Sequence, residues 1–228
     1  MNSPGVFITG TDTGIGKTLV SATLLAALNA VRHRAVGMKP IASGCEVTPR
    51  GLRSEDAQRL IAHSAGTPDY ASVNPYALHD PIAPHLAAVD ADMEILLEPI
   101  LAGFATLSTN ADFVVVEGVG GWMVPLSSEL MLADLARALR LPVVLVVGLR
   151  LGCLNHALLS AHAIVADGCE LLGWIGNRID PEMARVEDNL GTLRERLPAP
   201  CLGVLPHAVA PDPGALAPHL RTAVLALQ

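Results

Sequence analysis

The run ITGTDTGIGKT, Ile8 to Thr18, ends in Gly-Lys-Thr and follows a short β-branched stretch. Glycines in such a loop let backbone N–H groups point inward around an anion, and a helix opening near Lys17 adds its positive end. Lys17 would neutralise β/γ-phosphate charge and the Thr18 hydroxyl would ligate Mg²⁺. The candidate nucleotide contacts are Thr13, Gly14, Ile15, Gly16, Lys17, Thr18 and Leu19. Five residues separate Gly10 from Gly16, where the usual phosphate loop has four, so Thr11 stands at the first glycine position. The pattern points to a nucleoside triphosphate and is silent on where its phosphate goes.

Other residues could complete such a site. Lys39, in MKPIASG, closes a second apolar run, where its charge could stabilise phosphoryl transfer. Taken alone it reads better as a solvated lysine at a turn. Ser43 in the same stretch is either a substrate contact or a turn residue. Glu117 follows FVVV and precedes GVGG, so Gly118, Val119 and Gly120 would bring backbone close to a ligand. Mg²⁺ takes one or two carboxylates with phosphates and water, and Glu117 and Asp56 are the candidates. Asp56 in RSEDA is also placed to stabilise a helix N-terminus, and Glu55 is its rival.

These residues need elements to hold them. Val6–Thr9, Arg34–Pro40, Asp112–Gly118, Leu141–Gly148, Leu171–Asn177 and Cys201–Pro206 read as strands, alternating with helix-length segments such as Lys17–Ala30. Strands this apolar on both faces belong in a parallel sheet covered on each side. The expected class is α/β, a phosphate-loop NTPase-like doubly wound sheet in one domain over 1–228. Ile41–Pro84 reads as mostly loop with one short helix, Ser54–His63. Every motif falls at a strand's carboxyl end, where open parallel sheets bind ligands.

Bulk properties narrow the function. The 228 residues carry a net charge of −7, from 15 basic and 22 acidic side chains, which argues against nucleic-acid binding. Hydrophobic residues make up 51%. No apolar run reaches the roughly 18 residues a membrane helix needs, and strand-like sequence by Val6 leaves no room for a signal peptide. A soluble cytoplasmic protein is expected. The four cysteines have no metal or redox spacing, and the eight histidines form no metal pattern.

GTDTGIGKT, KPIASG, TPRGLRSEDA, SVNPY, PHLAA, VEGVGGWMVPL, LPVVLVVGLRLGCLNHALL and GWIGNRI occur in order and nearly span the chain. Together they resemble the dethiobiotin synthetases, the ATP-dependent ring-closing enzymes of biotin biosynthesis. The resemblance implies that 7,8-diaminononanoate, CO₂ and ATP give dethiobiotin, ADP and phosphate through a carbamate and a carbamic-phosphoric anhydride. It makes Thr18, Asp56 and Glu117 metal ligands, Lys39 and Lys17 catalytic cations, and Thr11 and Ser43 substrate contacts. In LGCLNHALL, Gly152, Cys153, Leu154 and Asn155 would bind the substrate carboxylate across a homodimer interface. That fits free N–H groups at a helix start, though Asn155 could equally be a plain cap. Asn177 would pair with the adenine edge, joined by Arg178 and by Pro206, His207 and Ala208. The chain departs from family members at Gly14, where they carry Glu, at Arg178, where an acid is common, at Asn189, near a tyrosine position, and at His207, which replaces an aromatic residue. ATP, CTP and GTP all stay open as the nucleotide.

A switch-type ATPase of the partitioning or maturation class is the main alternative. Such proteins carry a second lysine in the loop, and Asp12 to Ile15 contain none. An amide-forming synthetase would add a glutaminase domain, and a non-catalytic nucleotide module would leave Lys39 and LGCLNHA without a purpose.

Overall fold

The computed structural model describes residues 5–31 and 33–227. In chain order, β1 (Gly5–Gly10) leads to α1 (Lys17–Ala30) and β2 (Ala35–Met38). Next come β3 (Ile41–Ala42), β4 (Glu46–Thr48), β5 (Gly51–Arg53), α2 (Glu55–His63), α3 (Tyr70–Val73) and β6 (Tyr76–Ala77). Then follow α4 (Pro84–Asp90), α5 (Leu97–Asn110), β7 (Phe113–Glu117), α6 (Leu132–Leu139), β8 (Val143–Gly148) and α7 (Cys153–Ala166). The chain continues through β9 (Leu171–Asn177), α8 (Val186–Arg196), β10 (Cys201–Leu205), α9 (Pro213–Leu216) and α10 (Arg221–Ala226).

Six strands form one sheet in the order β10-β9-β8-β1-β7-β2, and every neighbouring pair is parallel. From the central β1, strands β8, β9 and β10 follow outward in chain order on one side, and on the other β7 inserts between β1 and β2, so the winding reverses at β1 as in a doubly wound fold. The period-2 alternation of each strand feeds two cores. Val6, Ile8, Val115, Val144 and Val146 meet Val20, Leu24, Leu28 and the C-terminal helices on one face. Phe7, Val114, Val116, Leu145 and Val147 meet α5, α6, α7 and α8 on the other. Each such apolar side chain contributes about 1.5–3 kcal/mol by leaving water. Strands buried on both faces are what the near-continuous Val and Leu runs encode.

The stretch from Ile41 to Pro84 is more ordered than its sequence suggests. It holds the parallel pair β3–β6, the antiparallel hairpin β4–β5, and α3 in addition to α2. Two- and three-residue strands are too short to show a period, which is why the sequence reads as loop. The helix read as Ser54–His63 opens at Glu55, with the Ser54 side chain accepting from Ala57 N as its cap. Lys39 lies just past β2 and not within it.

Candidate active site

All six strands of the sheet end on one edge, and the loops leaving β1, β2 and β7 meet there. They surround a cavity of about 780 Å³. Thr13, Gly14, Gly16, Lys17 and Thr18 line it from the phosphate loop, Lys39, Asp56 and Glu117 from its charged side, and Ser43, Val119, Gly120 and Pro81–Pro84 from its walls. Gly118 donates its N–H to Ile8 O at 2.9 Å, stitching the β7 loop to β1.

The phosphate loop is held in shape from behind. Gly16 caps α1 in the left-handed region at φ 86°, and a Cβ there would lie 2.2 Å from Asn177 Nδ2. Only glycine meets both demands. That amide nitrogen donates to Ile15 O at 2.8 Å, so Asn177, at the end of β9, clasps the loop's backbone. The Ile15 side chain is buried, and it leaves no room for a Cβ at Gly10 or Gly148. Ile15 therefore faces the core, and only its backbone is available to a ligand. Gly14, at φ 73°, has nothing within 4 Å of where a Cβ would be.

The charged groups form one linked cluster. Lys39 Nζ lies 2.8 Å from Asp56 Oδ2, 2.6 Å from Glu117 Oε1 and 3.3 Å from Gly118 O. Thr18 Oγ1 is 2.8 Å from both Asp56 Oδ1 and Glu117 Oε1, and its single proton serves one at a time. Lys17 Nζ donates to Asp12 O at 2.8 Å. The Asp12 carboxylate is ion-paired with Arg150. Burial works against the charge on Lys39, but the Glu117 and Asp56 carboxylates outweigh it and hold its pKa above the ordinary lysine value. For Asp56, burial acts upward, and Lys39 and Thr18 bring the pKa below the usual carboxylate range. Burial first, and the charge of Lys39 second, lower Lys17 to about 8.

The donor set suits a hard divalent ion. Glu117 is fully buried, and its Oε2 has no hydrogen-bond partner. A buried carboxylate oxygen without a donor is costly unless something cationic meets it. Asp56, Glu117 and the Thr18 hydroxyl converge as oxygen ligands of the kind Mg²⁺ uses with substrate phosphates and water. Among the described residues no group of three His, Cys, Asp or Glu side chains could hold a metal unaided.

Other expected site residues stand elsewhere. Ser43 reaches the cavity with a hydroxyl that has no partner. Thr11 lies instead in a smaller cavity of about 330 Å³, with Asp12, His156 and Ser160. None of Gly152, Cys153, Leu154 and Asn155 lines the main cavity. Gly152, at φ 94°, is the N-cap of α7, the helix opens at Cys153, and Asn155 is exposed within the first turn. The capping reading of Asn155 is thus corrected: the backbone of Gly152 makes that turn. Leu19 is in the first turn of α1. The Arg178 guanidinium pairs with Glu187 on α8, and His207 Nδ1 sits 3.2 Å from Arg178 O, which keeps Pro206–Ala208 beside the end of β9.

A family model described as an AAA domain matches residues 4–211. The chain is 59% identical to the ATP-dependent dethiobiotin synthetase BioD of Xanthomonas euvesicatoria pv. vesicatoria (strain 85-10), over 97% of this chain and 99% of that protein. It is 55% identical to the protein of the same name from Xylella fastidiosa (strain 9a5c), over 97% and 98%. The chain belongs to the ATP-dependent dethiobiotin synthetase family.

Solved structures share the fold of this synthetase at much lower identity. A ParA family ATPase from Chlorobium tepidum TLS superposes with a TM-score of 0.58 at 11% identity, covering 98% of this chain and 92% of that one. The signal recognition particle receptor FtsY from Elizabethkingia anophelis gives 0.54 at 16%, covering all of this chain and 64% of the receptor's. These are phosphate-loop architectures, and the likeness extends to the fold alone. Sequence reasoning missed several parts of the synthetase site. Nothing in the sequence alone marks the Arg150–Asp12 pair, the Pro81–Pro84 wall or, behind the cavity, the buried Asn74. Asn74 lies inside the SVNPY motif, which was visible but carried no chemistry by itself.

Proposed function

We propose that this protein is an ATP-dependent dethiobiotin synthase, a ligase that forms the ureido ring of dethiobiotin from 7,8-diaminononanoate, CO₂ and ATP. The observation that carries the reading is the buried Lys39–Asp56–Glu117–Thr18 cluster beside a phosphate loop, in a chain at 59% identity to a synthetase of that name.

The phosphate loop and the N-terminus of α1 receive the triphosphate, and Lys17 leaves Asp12 O to pair with it. Thr18, Asp56 and Glu117 would hold Mg²⁺, which would supply countercharge to the triphosphate. A substrate amine takes up CO₂ to give a carbamate, whose oxygen attacks the γ-phosphorus while the bond to the β-phosphate oxygen breaks. Two anions brought to about 4 Å repel by about 4 kcal/mol at moderate effective dielectric. Lys39 offsets that repulsion and stabilises the charge that develops in transfer. The second amine then attacks the anhydride carbon, closes the ring and expels phosphate. Ser43 in the main cavity and Thr11 in the smaller one beside it, which share Met123 and Val124 as a wall, bind the diamine. The turn Gly152–Asn155 of a second copy binds the tail carboxylate, which makes the working form a homodimer. Asn177, Arg178 and Pro206–Ala208 flank the base.

A product assay by mass spectrometry with ATP, bicarbonate, Mg²⁺ and 7,8-diaminononanoate tests this. Dethiobiotin and ADP in equal amounts are expected. ATP hydrolysis at one rate with and without the diamine, and no dethiobiotin, would reject it in favour of a switch ATPase.

A further inference from the structure

Tyr70 and Asn74 line no part of the main cavity, yet their side chains join the two backbone segments that carry Lys39 and Asp56. Asn74 is 3% exposed and spends its side chain on three bonds. Its Nδ2 donates to Lys39 O at 2.7 Å and to Tyr76 O at 3.2 Å, and its Oδ1 accepts from Tyr70 Oη at 2.9 Å. Tyr70 Oη in turn accepts the N–H of Ser54 at 2.7 Å. Ser54 is the N-cap of α2, two residues before Asp56. The other backbone group of Lys39, its N–H, donates to Val73 O at 2.8 Å. So α3 and Asn74 grip Lys39 on both sides of its α-carbon. The same unit reaches through Tyr70 to the start of α2. By chain, Lys39 and Ser54 are linked through β3 and the β4–β5 hairpin, and the far end of α2 is tied to β2 where Ser64 Oγ accepts the N–H of Gly37, so the relay holds the end of α2 nearest Asp56.

We propose that Tyr70 and Asn74 are positioning residues that fix the distance between the Lys39 ammonium and the Asp56 carboxylate. This rests on the assignment of Lys39 to phosphoryl transfer and of Asp56 to the divalent ion. One end of the relay is the carbonyl of Lys39 itself, and the other is the N–H of Ser54, two residues before Asp56 in the cap of the same helix. Asn74 uses both amide protons and its oxygen inward, and the Tyr70 hydroxyl both donates and accepts within the relay. Misplacement of either charged group by about 1 Å is enough to cost about 100-fold in rate.

The test uses two variants of the full-length protein. Tyr70→Phe removes one hydroxyl and keeps the ring on which the Arg53 guanidinium carbon sits, 4.1 Å from the centroid. Asn74→Ala removes the whole relay. ATP binding is titrated by calorimetry at a series of Mg²⁺ concentrations, and kcat and KM are measured for dethiobiotin formation. For Tyr70→Phe the half-saturating Mg²⁺ should rise and kcat should fall, each by about three- to tenfold, while the KM for ATP at saturating Mg²⁺ stays within about twofold. Asn74→Ala should act in the same direction and further. If Asn74→Ala fails to fold by circular dichroism, Tyr70→Phe decides alone. A folded Tyr70→Phe with wild-type Mg²⁺ dependence and kcat, or one that only melts earlier, overturns the proposal. The binding titration needs no diamine. A wild-type protein that made no dethiobiotin would therefore sink the functional reading while leaving the relay to stand or fall on its Mg²⁺ shift.

Discussion

Lys39 holds Glu117 and Asp56 together, and its removal has two separable effects. Lys39→Met should keep nucleotide binding and lose most turnover, by steady-state assay. It also leaves the fully buried Glu117 carboxylate unpaired. Breaking a buried pair in this way costs about 3–5 kcal/mol, seen as a lower melting temperature without metal. Adding Mg²⁺ should recover more of that loss in the variant than it adds to the wild type, because both cations draw on the same carboxylates. Equal stabilisation of the two proteins would show that they do not. Lys17 sets a pH dependence. Its pKa is lowered to about 8 in the folded protein, against the ordinary lysine value of 10.5. Between those values the unfolded chain holds more protons, so this group makes stability rise with pH across the window, and its cost is fully present below about 8. A triphosphate restores the charge. ATP binding should therefore take up a proton above about pH 8, and affinity should fall as pH rises further. Calorimetry in two buffers of different ionisation enthalpy measures both. At this scale the sequence was informative where a side chain's role follows from its own chemistry: Lys17, Thr18, Lys39, Asp56 and Glu117 all converge on one cavity. It was uninformative for Tyr70 and Asn74, whose partners are backbone atoms brought near by folding.

The main strands could be read from their apolar runs because burial on both faces leaves a signal in composition. The β3–β6 pair and α3 could not, since elements of two to four residues are set by tertiary contacts. Those contacts are tight. A Cβ on Gly103 of α5 would sit 2.8 Å from Ser72 O and 3.3 Å from Met38 Cε. Gly103→Ala gains helix propensity, but the crowding against α3 should outweigh it and destabilise the protein by about 1–3 kcal/mol. It should also impair turnover more than nucleotide binding, because α3 grips Lys39. Chemical denaturation and single-turnover kinetics check this. A stabilised variant would show that α3 can shift freely. The phosphate loop has a comparable constraint at Gly16, where the Asn177 amide occupies the space a side chain would need.

For the molecule as a whole, the candidate carboxylate turn at Gly152–Asn155 lies outside the main cavity of one chain, and Leu151 beside it is 95% exposed. Sedimentation velocity at assay concentrations should give a dimer. Leu151→Asp should lower the dimer fraction and raise the KM for the diamine. A fully active monomer would move the carboxylate site into a single chain. The strand order has a further consequence, in time. The central strand β1 is made first, yet its neighbours are β7 and β8, with Val6 opposite Val115 and Ile8 opposite Val144. Everything from Thr11 to Asp112 must leave the ribosome before β1 finds either lateral partner. Until then its apolar residues depend on chaperones or on local collapse. Such non-local pairing predicts slow acquisition of the native state and a risk of aggregation during synthesis, and lowering the growth temperature should raise the soluble yield.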